Sequence, residues 1–409
     1  MNRRRFLRTL PVLGLGAIGL TAAKNWPEQG LMNPCLAGLP DATRADPLMQ
    51  AAWDGLDPAQ VWDCHVHLAG SGDSGGGAWF NPDMDSPWHP MLWVQKRFYM
   101  NAGCVNESPG QTDHSYSERL HHQIDALRPG FKAMLLAFDW RHGENGQPDR
   151  DHSVFHIPNA NAAEAAKRYP TRFEWVASIH PYRDDCVEAL NQAIKSGARA
   201  IKWLPSAMGI DPASPRCDRF YQALAPTGLP IISHAGREMA VQGGSQDDGN
   251  PLRLRRAMDY GVSVVIAHCA SDGDDIDLDQ GTNGPRVKSF QLFARLMDDS
   301  RYEKLCYADI SALTQWNRAW ALKTVLQRSE WHPRLLNGSD YPLPGVMPLF
   351  SAGDMAGMGL IDPDAVPWLK EVRAHNALLF DFALKRLLRL DGRGFPPSVF
   401  QTRSFFERG

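Results

Sequence analysis

Six side chains that are candidates for binding a metal ion each stand at the end of a short apolar run in the 409-residue chain. Imidazole and carboxylate ligands suit zinc, manganese or cobalt. A water molecule bound to such an ion ionises near neutral pH and becomes a nucleophile. The pattern therefore predicts a metalloenzyme. The candidate ligands are His65, His67, Lys202, His234, His268 and Asp340.

The first run ends in His65-Val66-His67. Residues two apart on a strand point to the same side, so both imidazoles can approach one ion together. A single His-X-His motif is weak, and it is also found as two ordinary polar residues of a strand. Its weight here comes from the other candidates.

Lys202 stands within the apolar stretch 198–204. An ammonium group is costly there unless its pKa falls or its charge is paired. A neutral amine can react with carbon dioxide, and the two oxygens of the carbamate could bridge a pair of ions. The alternative is a lysine that extends to solvent or pairs with a carboxylate.

His234, His268 and Asp340 each end a further apolar run. Taken singly, each histidine fits a buried core residue as well as a ligand. Asp340, which is followed closely by a proline, also fits a helix cap or a turn. Their common place at the ends of predicted strands favours the ligand interpretation, because a barrel gathers its catalytic groups there.

In this order, the His-X-His pair, the lysine, the two histidines and the aspartate resemble the amidohydrolase superfamily. The resemblance covers roughly residues 58–392 and is strongest to the amidohydrolase-related branch. That branch includes phosphotriesterase-like hydrolases, lactonases and aminocarboxymuconate-semialdehyde decarboxylases. The resemblance implies a distorted (β/α)8 barrel with one or two divalent ions, usually zinc, at the C-terminal ends of its strands.

The resemblance also implies a role for each ligand. His65, His67 and Asp340 would bind the more buried ion and His234 and His268 the more exposed one. The carboxylated lysine would bridge the two ions. In members with a single ion, His234 joins the first site and His268 becomes catalytic. Asp340 would take a proton from the metal-bound water and pass it to the leaving group.

Four residues near the ligands are candidates for binding the substrate. Arg237 could hold a carboxylate or phosphate through two hydrogen bonds, although an arginine on a loop is usually solvated. His180, Trp203 and Tyr341 could line the pocket, or they could pack at the strand ends.

Apolar runs and amphipathic segments alternate along the chain as in an α/β fold. They predict a TIM-like (β/α)8 barrel with an insertion after the first strand and a C-terminal helical region. The predicted parts are a leader at 24–57, the barrel at 58–392 and a tail at 393–409. The insertion contains a glycine-rich stretch, 70–77, that lacks the lysine of a phosphate-binding loop and is predicted to be a flexible lid. The predicted strands are 60–67, 131–138, 173–180, 198–204, 230–234, 262–268, 305–310 and 335–340.

The first 23 residues resemble a twin-arginine export signal. A basic segment, 2–8, precedes an uncharged run, 9–23, which ends in small residues. The resemblance implies export of the folded protein by the twin-arginine machinery to the periplasm or beyond. An uncleaved signal could act as a membrane anchor. The alternative is a chance basic start before an apolar helix.

Composition limits the partners. The net charge is −3 and the chain has no basic stripe, so nothing indicates binding to nucleic acid. The expected partner is a small-molecule substrate, and a homo-oligomer is left open. Seven cysteines predict no disulfide framework, although loop cysteines such as Cys104 and Cys217 could form one bridge. Cys64 and Cys269 are expected to be small buried thiols.

Three functions fit these residues. The first is hydrolysis of an ester, lactone, amide or phosphoester by metal-bound hydroxide, which Lys202 favours by making a bridged two-ion site feasible. The second is non-oxidative decarboxylation of a small unsaturated or aromatic acid at a single ion. The third, a non-catalytic metal-binding barrel, is disfavoured because every expected ligand type is present.

Overall fold

The computed structural model describes residues 27–241 and 243–407. The predicted export signal, residues 1–23, lies outside the described residues. Twelve strands are present in the described part of the chain. They are β1 Trp62–His67, β2 Trp79–Phe80, β3 Lys132–Leu136, β4 Phe155–His156, β5 Phe173–Val176, β6 Ile201–Trp203, β7 Ile231–Ser233, β8 Val264–Ile266, β9 Asp274–Ile276, β10 Arg286–Lys288, β11 Cys306–Asp309 and β12 Leu335–Leu336.

Eight of these strands form the barrel. Parallel pairing gives one sheet with the order β1-β3-β5 and another with the order β6-β7-β8-β11-β12. A bridge between Ala177 and Ile201 joins the sheets at one edge, and a bridge between Val66 and Tyr341 joins them at the other. The predicted (β/α)8 barrel is confirmed. The remaining strands form two small antiparallel pairs, β2 with β4 and β9 with β10.

Helices surround the barrel. The described α-helices are α1 Asp41–Ala45, α2 Pro47–Trp53, α3 Pro90–Ala102, α4 Thr112–Asp125, α5 Asn159–Arg168, α6 Cys186–Lys195, α7 Pro205–Met208, α8 Asp218–Leu224, α9 Arg255–Asp259, α10 Ser289–Asp298, α11 Leu322–Gln327, α12 Ala352–Gly357, α13 Val366–His375, α14 Ala377–Leu387, α15 Pro397–Phe400 and α16 Arg403–Phe406. Among the described residues, no helix has the length and apolar character needed to cross a bilayer.

The interior of the barrel has an apolar layer below a polar one. Ala200, Ile232 and Leu336 belong to a buried inner cluster, which Phe405 and Phe406 of the C-terminal tail complete. Because side chains two apart on a strand share a face, the residue two positions after each inner apolar residue also faces the interior. This alternation places polar side chains inside the C-terminal end of the barrel, where the strands end.

Strand β1 departs from this alternation at a bulge. Its register with β3 shifts between Asp63 and Val66. As a result Cys64, which packs in the inner cluster, is followed directly by His65, whose ring also faces the interior. Bulges re-aim side chains in this way. The irregularity therefore brings His65 and His67 onto the inner face.

The insertion after β1 packs over the C-terminal end of the barrel. In α3, Gln95 donates to the carbonyl of Met239 at 2.9 Å and Tyr99 to that of Ala240 at 3.4 Å. The glycine-rich stretch 70–77, predicted to be a flexible lid, is tied to Asp113, whose carboxylate accepts hydrogen bonds from three residues of the stretch. These hydrogen bonds anchor the stretch to α4, which contains Asp113.

One disulfide is present, and it joins Cys35 to Cys104. The pair suggested from the sequence, Cys104 with Cys217, is wrong because Cys217 is a buried free thiol in the core. Cys64 and Cys269 are buried free thiols as predicted. The bridge fastens the leader to Cys104, two residues after the end of α3, and so to the insertion.

We expect this bridge to stabilise the fold. The sequence separation of 69 residues is long, and closing a loop of this size in the unfolded chain is worth roughly 2–4 kcal/mol. The double variant Cys35→Ser/Cys104→Ser should lose that much free energy of unfolding in a denaturant titration. Dithiothreitol should destabilise the wild type similarly and leave the variant unchanged. An equal effect of the reductant on both proteins would contradict the assignment.

Candidate metal centre

His65 is the central residue of the polar layer. Its Nδ1 lies 2.9 Å from Oδ2 of Asp309, so the carboxylate accepts the Nδ1 hydrogen and leaves the lone pair of the ring on Nε2. Nε2 lies 2.9 Å from Nζ of Lys202 and 3.4 Å from Oδ1 of Asp340. The nitrogen that can bind a metal therefore points at the other candidate ligands.

Asp340 stands among three imidazoles. Its Oδ1 is 3.1 Å from Nε2 of His67, and its Oδ2 is 3.7 Å from Nε2 of His268. Burial by itself raises the pKa of Asp340, but His268 and His65 outweigh burial and lower that pKa well below its usual range. The carboxylate is therefore ionised at neutral pH.

The backbone of Asp340 is in the left-handed region, with φ of 63°. A non-glycine residue pays a steric cost there, and surrounding contacts must hold it. The amide of Asp340 donates to the carbonyl of His65 at 2.8 Å. This bond ties the two proposed ligands together across the edge where the barrel closes.

Asp309 ends β11 and organises the base of the centre. Its Oδ1 accepts hydrogen bonds from the amide of His268 at 2.9 Å and the amide of Ser311 at 3.1 Å, and also from the Ser311 hydroxyl. That hydroxyl lies 2.7 Å from Nδ1 of His268. Burial opposes ionisation of Asp309, yet the contact with His65 keeps its pKa low. One carboxylate thus orients two histidines.

His268 does not end a strand as predicted. Strand β8 stops at Ile266, and the next residues turn, with left-handed φ at His268, Cys269 and Ala270 of 56°, 51° and 46°. The turn presents the His268 ring to Asp340. Burial lowers the pKa of His268 to about 3, so the ring is neutral at physiological pH.

His234 lies beside this group. Its ring centroid is 5.3 Å from that of His268, and its Nδ1 is 3.3 Å from Oε2 of Glu238. Among the described residues, Nε2 of His234 has no hydrogen-bond partner although it is buried. Burial, reinforced by neighbouring charges, holds the pKa of His234 well below its usual value. A neutral ring with an unpaired buried nitrogen suits a metal ligand.

Lys202 is almost fully buried, at 1% exposure. Burial lowers its pKa, while the negative charges of Asp309 and Asp340 oppose that change. The alternative of a lysine that extends to solvent is excluded by this burial. The carboxylates of Asp309 and Asp340 interact with Lys202 through their charge.

Two sets of three ligand atoms are close enough to hold an ion in the described part of the chain, each set lying within 4.8 Å of one another. The first set, His65, His67 and Asp340, faces the open end, since the His67 side chain is 24% exposed. The second set, His65, His268 and Asp309, is already hydrogen-bonded through Ser311. The first set therefore fits a divalent ion better.

No hydrogen bond in the described part of the chain joins the side chain of Arg237 or His180, two of the predicted substrate-binding residues, to a candidate ligand. Arg237 is exposed and lines a separate surface cavity with Asp274 and Arg286. His180 is buried, with its Nε2 3.0 Å from the carbonyl of Met208 and its Nδ1 accepting from the amide of Tyr182 at 3.2 Å. Both nitrogens of His180 are occupied by backbone groups.

The other two predicted substrate-binding residues, Trp203 and Tyr341, point away from the interior of the barrel, because each lies next to a candidate ligand along the chain. Trp203 packs among the helices, and its Nε1 donates to the carbonyl of Ile179 at 2.9 Å. Tyr341 is fully buried, and its hydroxyl accepts from Gln123 at 3.2 Å. Successive residues of an extended chain face opposite sides, which accounts for both placements.

Sequence reasoning missed several residues of the centre. Asp309 stands at the end of its strand, as the candidate ligands do, and this position could have identified it from the sequence. An aspartate at that position also fits a helix cap. Glu238 lies four residues after His234. Ser311, two residues after β11, and Arg318, in the connection that follows, gave no sequence signal.

A family profile described as amidohydrolase matches residues 62–365. No curated protein matched significantly.

Solved structures resemble the chain at low identity. An uncharacterised TIM-barrel protein from Bordetella bronchiseptica is 18% identical, with 78% of this chain and 99% of that chain covered and a TM-score of 0.45. A probable 2-pyrone-4,6-dicarboxylic acid hydrolase from Acinetobacter baumannii is 15% identical, with 83% and 99% covered and a TM-score of 0.43. 5-Carboxyvanillate decarboxylase from Novosphingobium aromaticivorans, complexed with manganese, is 15% identical, with 86% and 98% covered and a TM-score of 0.47.

The bond between Asp309 and His65 can be tested by the variant Asp309→Asn. An amide cannot accept the Nδ1 hydrogen as strongly, so we expect metal affinity to fall by roughly 10–100-fold, as for other partners that orient metal-binding histidines. Affinity would be measured by competition with a chelator. Asp277→Asn, which removes a buried carboxylate bound to Arg295 away from the centre, is the matched control. Equal metal affinities in the two variants would contradict the assigned role.

Proposed function

This chain belongs to the amidohydrolase family, and we propose that it is a metal-dependent hydrolase of an ester, lactone, amide or phosphoester bond in a small molecule. The observation that carries the proposal is the convergence of His65, His67 and Asp340 at the C-terminal end of the barrel. A divalent ion held by these residues would activate water and polarise the bond under attack.

Asp340 is proposed to move the proton. Its two oxygens face different neighbours, Oδ1 toward His65 and His67 and Oδ2 toward His268. A carboxylate placed in this way can accept a proton from the attacking water and deliver it to the leaving group.

Lys202 is proposed to act as a carbamate. A charged ammonium 2.9 Å from Nε2 of His65 opposes the binding of a cation at that nitrogen. Reaction of the neutral amine with carbon dioxide, with loss of a proton, replaces the positive charge by an anionic group with two ligand oxygens. The burial of Lys202 at the inner face supports this proposal.

Decarboxylation of a small unsaturated or aromatic acid at a single ion is the second candidate. It is favoured by one observation: the two ligand sets share His65, and the set with His268 and Asp309 is saturated by hydrogen bonds through Ser311. Only one set then remains free for an ion among the described residues. His268 would be a catalytic group in that reaction.

We also propose that the protein works outside the cytoplasm after twin-arginine export. The disulfide between Cys35 and Cys104 supports this location, because disulfides persist in oxidising compartments. Zinc as the metal and a homo-oligomeric state stay predictions.

Removing a ligand should abolish turnover. We expect His65→Ala and Asp340→Ala to lower hydrolysis of the best ester, lactone, amide or phosphoester of a substrate panel by more than the roughly 100-fold that an outer hydrogen-bond partner costs. Circular dichroism should show that the fold survives. The matched controls are His122→Ala and Asp364→Ala, since both residues are exposed. Substantial turnover in either ligand variant would remove that residue from the mechanism.

Metal content distinguishes the two candidate reactions. Elemental analysis of protein purified without added metal or chelator should give about two ions per chain if a carbamate bridges them. Lys202→Ala should then lose about one ion and regain part of its activity with a short carboxylic acid such as propionate, while Lys323→Ala, at an exposed position, should match the wild type. About one ion in both the wild type and Lys202→Ala would defeat the carbamate proposal and favour decarboxylation.

A further inference from the structure

Arg318 is a buried cation with no carboxylate partner among the described residues. It lies in the connection after β11 and is only 7% exposed. Its Nε has no hydrogen-bond partner in the described part of the chain. Its one side-chain hydrogen bond there is a long one, 3.5 Å from a terminal nitrogen to Oγ of Ser271. A buried guanidinium without a carboxylate is costly. We therefore expect Arg318 to bind a partner that the described residues do not supply.

Glu238, an acidic residue that senses the charge of Arg318, is already engaged. Glu238 attracts Arg318 electrostatically, but one of its oxygens accepts from the amide of Val241 at 2.8 Å and the other lies 3.3 Å from Nδ1 of His234. Within the described chain, Arg318 and Glu238 form no ion pair. The guanidinium therefore keeps donors free for a bound molecule.

Arg318 is close to the metal centre. Its hydrogen-bond acceptor, Ser271, follows His268 by three residues and is fully buried. The preceding residue, Asn317, donates to Oδ2 of Asp272, four residues after His268, at 2.9 Å. The guanidinium thus lies against the turn that carries His268.

The same short connection holds other unsatisfied polar groups. Oγ1 of Thr314 and Nε1 of Trp316 are buried and have no partner among the described residues, as for Nε of Arg318. All three are hydrogen-bond donors, and the fourth unpaired atom of the run, Oδ1 of Asn317, is an acceptor. A run of five residues with three buried, unpaired donors matches a site for an oxyanion, because buried polar groups in native proteins are normally paired.

We propose that residues 314–318 bind a carboxylate of the substrate through Arg318, so that the substrate is an organic anion. The planar fork of an arginine can hold the two oxygens of a carboxylate together. This inference rests on the proposed function of the metal centre, and it adds the charge of the substrate to the reaction class. Arg237, the arginine that the sequence suggested, is exposed and lines a separate surface cavity together with Asp274.

The test compares succinate with the uncharged succinamide on the full-length, metal-loaded protein, by isothermal titration calorimetry. The wild type should bind succinate more tightly. Arg318→Gln should weaken succinate binding by about tenfold or more, a loss of about 1.4 kcal/mol, and leave succinamide binding and metal content unchanged. Arg237→Gln removes the same charge from an exposed position and should bind succinate like the wild type.

Three results would overturn the proposal: no preference for succinate in the wild type, unchanged affinity in Arg318→Gln, or an equal loss in Arg237→Gln. If Arg318→Gln fails to fold, Arg318→Lys decides, since a lysine keeps the charge without the fork and should weaken succinate binding about threefold. Unchanged binding in Arg318→Lys would then contradict the proposal. Binding of succinate through Arg318 without hydrolysis of any ester, lactone, amide or phosphoester would contradict only the hydrolase function.

Discussion

The hydrogen bond between Asp309 and Nδ1 of His65 holds the centre of the barrel together. It joins strand β11 to strand β1 across the interior and determines which nitrogen of His65 faces the other ligands. The same carboxylate receives the amides of His268 and Ser311, so the turn after β8 depends on it as well. Such a bond is strong because both partners are buried and one is charged.

The polar layer depends in turn on the apolar layer beneath it. Inner residues such as Ile232 and Leu336, with Phe405 and Phe406 of the tail, fill the bottom of the barrel and exclude water from that side. Charged groups above this layer are then accessible only from the C-terminal end. Burial lowers the pKa of His67, His234 and His268 and so favours neutral imidazole, the form that binds metals. The arrangement of the core thus sets the protonation of the site.

The alternation of apolar runs was enough to predict the eight strands and to place the candidate ligands near the C-terminal ends of those strands. The same period of two puts Trp203 and Tyr341, each one residue from a ligand, on the opposite face. The bulge in β1, the left-handed turn at His268 and the pairing of Cys35 with Cys104 all arise from contacts between distant segments. No local pattern encodes them.

The central claim is that a divalent ion binds at His65, His67 and Asp340. The most direct test is anomalous diffraction from crystals of the full-length protein loaded with zinc or manganese, recorded on both sides of the metal's absorption edge. The account predicts a strong anomalous peak enclosed by Nε2 of His65, Nε2 of His67 and the carboxylate of Asp340. A well-ordered site without such a peak in metal-loaded crystals, or a peak only elsewhere in the barrel, would contradict it.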